Sequence, residues 1–192
     1  STYHRGFKGR KVLLEHLDRA VRRRMANLSD DALSHLIEGV DEDGNRLAFE
    51  ELKDQSLFLL LAGHDTTASM MASMVYRLGN HPEVFEKARK EQLDLNISGP
   101  LTMDHLKRMK YLDQVLKETE RMHPPVPIGF RGATQEFQLG GYRIPKGWRL
   151  LYRSYETHMD PEVFDAPESF DPERFGPERA EHKRRRFALF GF

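Results

Sequence analysis

The chain has no cysteine, no excess charge of either sign and no long apolar run, and each lack closes off a class of protein. Without cysteine there is no disulfide, no thiolate zinc site and no cysteine nucleophile within these residues. Lys plus Arg and Asp plus Glu number 30 each, so no overall field draws the chain to nucleic acid or an anionic membrane. Only local patches could do that. The longest apolar run, Leu57 to Gly63, is far short of the roughly 20 residues that cross a bilayer, and His64 and Asp65 follow it at once. No signal or transit peptide is visible in the opening "STYHRGFKGRKVLLEHL", which lacks an initiator Met and reads as a cut into a longer chain. Cytoplasmic and membrane-associated locations both remain open.

What is present is mostly helical pattern. Val12, Leu13, Leu17, Ala20, Val21 and Met25 recur at helical spacing, predicting a helix from about Phe7 to Met25 with an arginine-rich C-terminal end. Ser29 is expected to cap a short helix through Glu38, after which "GVDEDGN" supplies turn chemistry. A long helix is predicted over about 49–78, another from Pro82, a short one from Thr102, and a further one over about 109–122 that Pro124 and Pro125 stop. Aromatic and branched residues with Gly140-Gly141 and Pro145-Lys146-Gly147 turns then predict a small hairpin sheet over about 126–153. From about 159 to 180 the prolines are too dense for helix or strand, while Phe164, Phe170 and Phe175 favour an ordered meander. With no internal repeat and no linker, residues 1–192 read as a single partial domain, mainly α with a small β sheet.

Three short stretches carry chemistry. The buried-helix pattern "LFLLLAGHDTTASMMASMV" places Gly63, His64, Asp65, Thr66 and Thr67 at its centre, although Gly costs about 1 kcal/mol against Ala in a helix and an unpaired buried carboxylate costs more. One reading is packing, with Ala62, Thr66, Ser69 and Ser73 forming a small-residue stripe. The other is a site, in which Gly63 lets the helix widen, Thr66 bonds back toward the Ala62 carbonyl, and Asp65 beside a hydroxyl makes a proton relay. In "KETER", Glu118 and Arg121 are three apart on one helix face, and the apolar arc of Leu112, Val115, Leu116 and Thr119 points them toward solvent. Arg174 in "FDPERF" reads alone as an exposed loop arginine.

Taken in order, "AGHDTT", "ETER", "FDPERF" and the terminal "FALFGF" give a chain that resembles the C-terminal half of a cytochrome P-450, over essentially all 192 residues. The resemblance implies an incomplete cytochrome P-450 fold and a haem (heme, iron protoporphyrin IX) cofactor. It implies that Ala62, Gly63, Asp65, Thr66 and Thr67 lie on the long helix over the haem, Asp65 and Thr66 being catalytic through oxygen binding and proton delivery. Glu118, Arg121 and Arg174 would form a buried triad, which overrides the surface reading. Arg131 in "GFRGAT" would hold a haem propionate. His64, Val126, Pro127, Ile128 and Gly129 would line an apolar substrate pocket with Ala62. Phe190 and Gly191 would open the F-G-x-G-x-R-x-C haem loop (187–192 here), whose cysteine is expected about five residues beyond Phe192. The protein metal ligand is therefore expected outside this chain, which alone would be inactive.

The implied reaction is a haem-thiolate monooxygenation that puts one atom of O2 into an apolar organic substrate, with electrons ultimately from NAD(P)H. A ferredoxin-type or flavoprotein reductase would be the electron donor, docking near Lys183, Arg184, Arg185 and Arg186. The stretch "PPVPIGFRGATQEFQLGGYRIPKGW" looks closest to the retinoic-acid-hydroxylating branch. Two other classes stay open. A non-catalytic relative could keep the scaffold as an interaction module. Gly39 to Glu50 also fits an EF-hand calcium loop at Asp41, Asp43, Gly44 and Glu50, but Gly39 occupies the first ligand position and Arg46 the usual aliphatic one.

Overall fold

The computed structural model describes residues 2–184 and Leu189. It is mainly helical, as the patterning predicts. Seven α-helices are present among the described residues: α1 (Thr2–Ala26), α2 (Ala32–Glu38), α3 (Phe49–Asn80), α4 (Pro82–Leu95), α5 (Met103–Arg108), α6 (Lys110–Met122) and α7 (Ser154–His158). Four short strands lie between α6 and α7: β1 (Ile128–Gly132), β2 (Phe137–Leu139), β3 (Tyr142–Ile144) and β4 (Arg149–Arg153). By contact the chain divides into two compact units, Ser1–Asp65 and Thr66–Phe192. The division falls inside α3, so no linker separates them.

In the first unit, Val21 of α1, Ile37 of α2 and Leu52 of α3 form a small buried cluster, and the Arg22 guanidinium lies 4.3 Å over the Phe49 ring. The cap of α2 is Asp31 rather than Ser29: Asp31 Oδ1 accepts from the Ser34 amide at 2.9 Å. A carboxylate at a helix start adds charge to the hydrogen bond and so displaces the weaker hydroxyl acceptor. Ser29 instead donates its hydroxyl to Asp31 Oδ2 at 2.9 Å. The turn after α2 is organised by Asp41, whose Oδ1 accepts from the amides of Asp43 at 3.0 Å and Asn45 at 2.8 Å, while Gly44 takes a positive φ of 83°. That carboxylate serves the turn's own backbone. Gly63 does not widen its helix, because α3 runs as regular α-helix from Phe49 to Asn80.

In the second unit, α4 packs on α6 through Val84, Ala88, Tyr111, Val115 and Met122, with Phe170 of the meander closing the cluster. The start of α6 has no cap of its own; Glu91 of α4 supplies one, accepting from the amides of Tyr111 at 2.6 Å and Leu112 at 3.0 Å. Two orphan helix donors are thus satisfied from a neighbouring helix. The single hairpin sheet expected from the sequence is two separate antiparallel pairs, β1 with β4 and β2 with β3. Bends at Thr134 and Gln135 end the first ladder before the β2–β3 hairpin begins, and that hairpin turns on Gly140 and Gly141, both at positive φ. The proline-rich meander is ordered: Val163, Phe164 and Phe175 form its core with Leu189 against them.

No helix among the described residues is long and apolar enough to cross a membrane.

Candidate functional site

The meander and α6 meet around a group of charges with no contact to solvent. Glu118, Arg121, Arg174 and Glu181 each have 0% relative exposure. Arg121 binds Glu118 bidentately, Nε to Oε2 at 2.7 Å and Nη2 to Oε1 at 2.8 Å. Arg174 donates from Nε to Glu118 Oε1 at 3.1 Å and from Nη1 to Glu181 Oε2 at 2.7 Å. The remaining guanidinium protons go to backbone carbonyls: Arg121 to His158 at 2.8 Å, and Arg174 to Asp165 at 2.8 Å and Ser169 at 3.1 Å. The amides of Asp171 and Asp165 donate in turn to Glu118 and Glu181. Two buried cations thus face two buried anions, and each charge is hydrogen-bonded several times over, the condition under which ionised groups tolerate burial.

Periodicity had pointed Glu118 and Arg121 to solvent. The meander overrides it, because residues 160–175 cover the polar side of α6 and supply Arg174 as a counter-charge. The structure therefore brings together the three residues expected as a triad and adds a fourth, Glu181, hidden in sequence at the head of the basic run "EHKRRR". Its partner Arg179, itself pushed upward in pKa by the Asp171 carboxylate first and by Glu181 after it, closes the outer side. A second residue that the sequence did not single out is His158. Its Nδ1 donates to the Arg121 carbonyl at 3.1 Å while Arg121 donates to the His158 carbonyl, a reciprocal clasp between α6 and α7. Burial drives the His158 pKa down to about 4, so the ring is neutral at neutral pH.

The α3 segment differs in kind. Gly63, His64, Asp65 and Thr67 are exposed and Ala62 and Thr66 half-buried. His64 Nδ1 lies 2.8 Å from Asp65 Oδ1. A Cβ placed on Gly63 would meet nothing within 4 Å, so this face is open and shallow. Within the second unit, Thr66, Thr67, Met70 and Met71 of α3 share a cavity of about 340 Å³ with Leu116, Glu120 and Pro125. Burial holds the Glu120 carboxyl above the usual carboxylate range, opposed by the charge of Lys117.

On β1, Arg131 is exposed, its guanidinium 5.2 Å over the Tyr152 ring and its Nη1 donating to the Phe130 carbonyl at 2.8 Å. Gly129 faces Tyr152 in register across the β1–β4 ladder, and a Cβ there would collide with the Tyr152 ring. Glycine is thus what lets the ring cross the strand toward Arg131. Val126 and Gly129 are half-buried, and Ile128 and Pro127 are exposed. Of the basic run, Lys183 and Arg184 are described. Arg184 binds Asp165 bidentately at 2.8 and 2.7 Å and so does not present a loose charge. Arg185, Arg186 and Phe190 lie outside the described residues, as does the haem loop except Leu189. No group of three or more His, Asp or Glu side chains arranged to hold a metal occurs among the described residues.

Compared with known protein families, residues 1–192 match cytochrome P450 over their whole length. The chain is 43% identical over 173 residues to the putative cytochrome P450 120 of Synechocystis sp., covering 89% of this chain and 39% of that protein. It is 39% identical over 203 residues to cytochrome P450 26B1 of Xenopus tropicalis, covering all of this chain and 40% of that one. Among solved structures it is similar to the retinoic-acid-bound cyanobacterial CYP120A1, with a TM-score of 0.88 and 40% identity over 98% of this chain and 44% of that one. The cytochrome P450DA heme domain also matches, with a TM-score of 0.79 and 29% identity over 86% of this chain and 38% of that one. The chain spans about two fifths of the length of these relatives, and it belongs to the cytochrome P450 family.

Proposed function

We propose that this chain is the part of a haem-thiolate monooxygenase that carries the oxygen-side helix and the buried support beneath it, acting in the complete protein on an apolar substrate. What supports the reading most is the match of 98% of the chain to a P450 solved with retinoic acid, at a TM-score of 0.88.

The residues present fit a haem in part. The open face at Ala62, Gly63 and Thr66, where an added Cβ at Gly63 meets nothing, suits the close approach of a flat macrocycle. Arg131, exposed and steadied over Tyr152, suits a propionate carboxylate. A thiolate ligand would have to come from outside these residues, which hold no cysteine. When bound, the haem supplies oxygen activation with electrons delivered singly. The chain's own residues do the rest. Thr66 places a hydroxyl where oxygen is handled, and Asp65, exposed beside His64, passes protons from solvent to it. Val126, Ile128 and Gly129 contribute apolar wall to the substrate pocket.

For the substrate, retinoids come first in the order of testing, since the similar cyanobacterial CYP120A1 is bound to retinoic acid. The electron donor is a ferredoxin-type or flavoprotein reductase fed by NAD(P)H. The basic run that includes Lys183 is proposed to meet it, Arg184 being paired with Asp165. The test is spectroscopic. The complete protein should give a thiolate-type reduced CO spectrum and a haem spin shift with all-trans-retinoic acid, followed by a hydroxylated product under NAD(P)H, reductase and O2. A purified complete protein without haem contradicts the reading, and a thiolate-type spectrum with no shift for retinoids or fatty acids contradicts the substrate class.

A further inference from the structure

We propose that Glu120 is a proton-supplying carboxyl for the cavity that Thr66 lines, a second acid beside Asp65. The inference deepens the monooxygenase reading and rests on it for the role of Thr66.

The sequence hides Glu120 between the two members of the buried ion pair, in "ETER", where it reads as one more charge on a polar helix face. The structure separates it from them. Glu118 and Arg121 point into the meander and are fully buried, whereas Glu120 is half-buried and lines the 340 Å³ cavity with Thr66, Thr67, Met70, Met71, Leu116 and Pro125. From α3 the lining offers two hydroxyls and two methionines, none of them ionisable at neutral pH. From α6 it offers Leu116, and after α6 Pro125. The charge that acts on Glu120 is Lys117, which already holds Asp113 Oδ2 at 2.6 Å. A carboxyl with no ion pair of its own, set among methionine, leucine and proline, is expensive to ionise, and burial shifts its titration upward accordingly.

A carboxyl built only to stabilise the helix would point to water or to a cation. One that shares a cavity with two hydroxyls, keeps its proton longer than usual and retains partial solvent access has what a proton donor needs. In the proposed step the Glu120 O–H bond breaks and its proton moves to the Thr66 oxygen, directly or through water, as the Thr66 O–H bond breaks and that proton passes to the oxygen atom that leaves as water in the proposed monooxygenation. The Glu120 carboxylate then regains a proton from solvent along its exposed edge. Glu120 and Thr66 are thus restored at each turnover, and the proton consumed is one of the two that the monooxygenation requires, with O2 and the NAD(P)H electrons supplied by that reaction.

The test uses the complete haem protein and the Glu120→Gln, Glu120→Asp and Asp65→Asn variants. Infrared difference spectra over a pH titration should show a protonated carboxyl persisting above the ordinary carboxylate range in the wild type and missing in Glu120→Gln; this readout does not depend on turnover. In turnover, Glu120→Gln should keep its haem and thiolate-type spectrum but lose about tenfold in product per NAD(P)H, less than the roughly 10²-fold or more of a sole general acid because Asp65 remains. Glu120→Asp should recover most of the loss, and the doubly substituted protein should fall further than either single variant. Wild-type coupling in Glu120→Gln, loss of its haem, or a carboxyl that titrates in the ordinary range each overturns the proposal. A wild-type protein without a thiolate-type spectrum overturns the monooxygenase reading instead, while the infrared titration still reports on Glu120 itself.

Discussion

The buried charges of α6 and the meander and the exposed polar stretch of α3 use the same residue types to opposite ends. Glu118, Arg121, Arg174 and Glu181 are saturated with partners and closed to solvent. Asp65 and His64 have each other and water, their side chains 68% and 81% exposed. A carboxylate locked by two guanidinium groups and a backbone amide is fixed in charge and place. One that faces water can exchange protons. The difference teaches that in this chain burial with full satisfaction marks architecture, and that the stretch proposed for chemistry is one left exposed beside small residues and hydroxyls.

The sharpest way to break that contrast is to disturb the locked region. Arg121→Lys or Arg174→Lys keeps the charge but cannot reproduce the fork geometry, and should destabilise the complete protein by about 3–5 kcal/mol. Urea unfolding followed by circular dichroism measures it, and a loss under about 1 kcal/mol would mean the pair behaves as a surface contact. Somewhat smaller is the effect of acid on the clasp. His158 is neutral in the folded protein, with its pKa lowered to about 4, so its contribution is fully present above the unfolded value of 6.5. It is lost as pH falls from there toward 4, at most about 3 kcal/mol. Replacing His158 by Gln should flatten that part of the stability profile. Glu181→Gln should cost about 2–3 kcal/mol by leaving Arg174 and Arg179 short of an anion, while Glu178→Gln nearby on the surface serves as the near-neutral comparison. Gly129→Ala should cost about 1–3 kcal/mol by forcing the Tyr152 ring aside, and it should loosen Arg131 without touching the locked charges.

Much of this architecture could be read in the sequence, and the failures have physical causes. Helical periodicity pointed to α3, α4 and α6 within a few residues and to α1 from Phe7, although α1 starts at Thr2; α4 and α6 bury an apolar face, whereas α3 buries only Leu52 and Ser56 and leaves Phe58, Leu59, Leu60 and Leu61 exposed. The aromatic spacing of the meander pointed to order without regular structure, and the structure has a short 3-10 helix within it at Pro172–Phe175. Periodicity failed at Glu118 and Arg121 because it records which face of a helix is apolar, and a segment more than forty residues later covers the polar face. His158 gave no local signal for the same reason, its partner Arg121 lying far back in sequence, whereas Glu181 binds the nearby Arg174 and Arg179 and was masked by the basic run it heads. Glu91 as the cap of α6 was equally hidden. The division of one hairpin sheet into two turned on the bends at Thr134 and Gln135, where composition alone shows only a loop.

The most direct measurement of the contrast compares Glu118→Gln with Thr66→Ala in the complete protein, reading haem content by the reduced CO spectrum and coupling by product formed per NAD(P)H. The account predicts that Glu118→Gln loses the thiolate-type spectrum, while Thr66→Ala keeps it and diverts reducing equivalents to hydrogen peroxide. Full haem content in Glu118→Gln together with unchanged coupling in Thr66→Ala would contradict it.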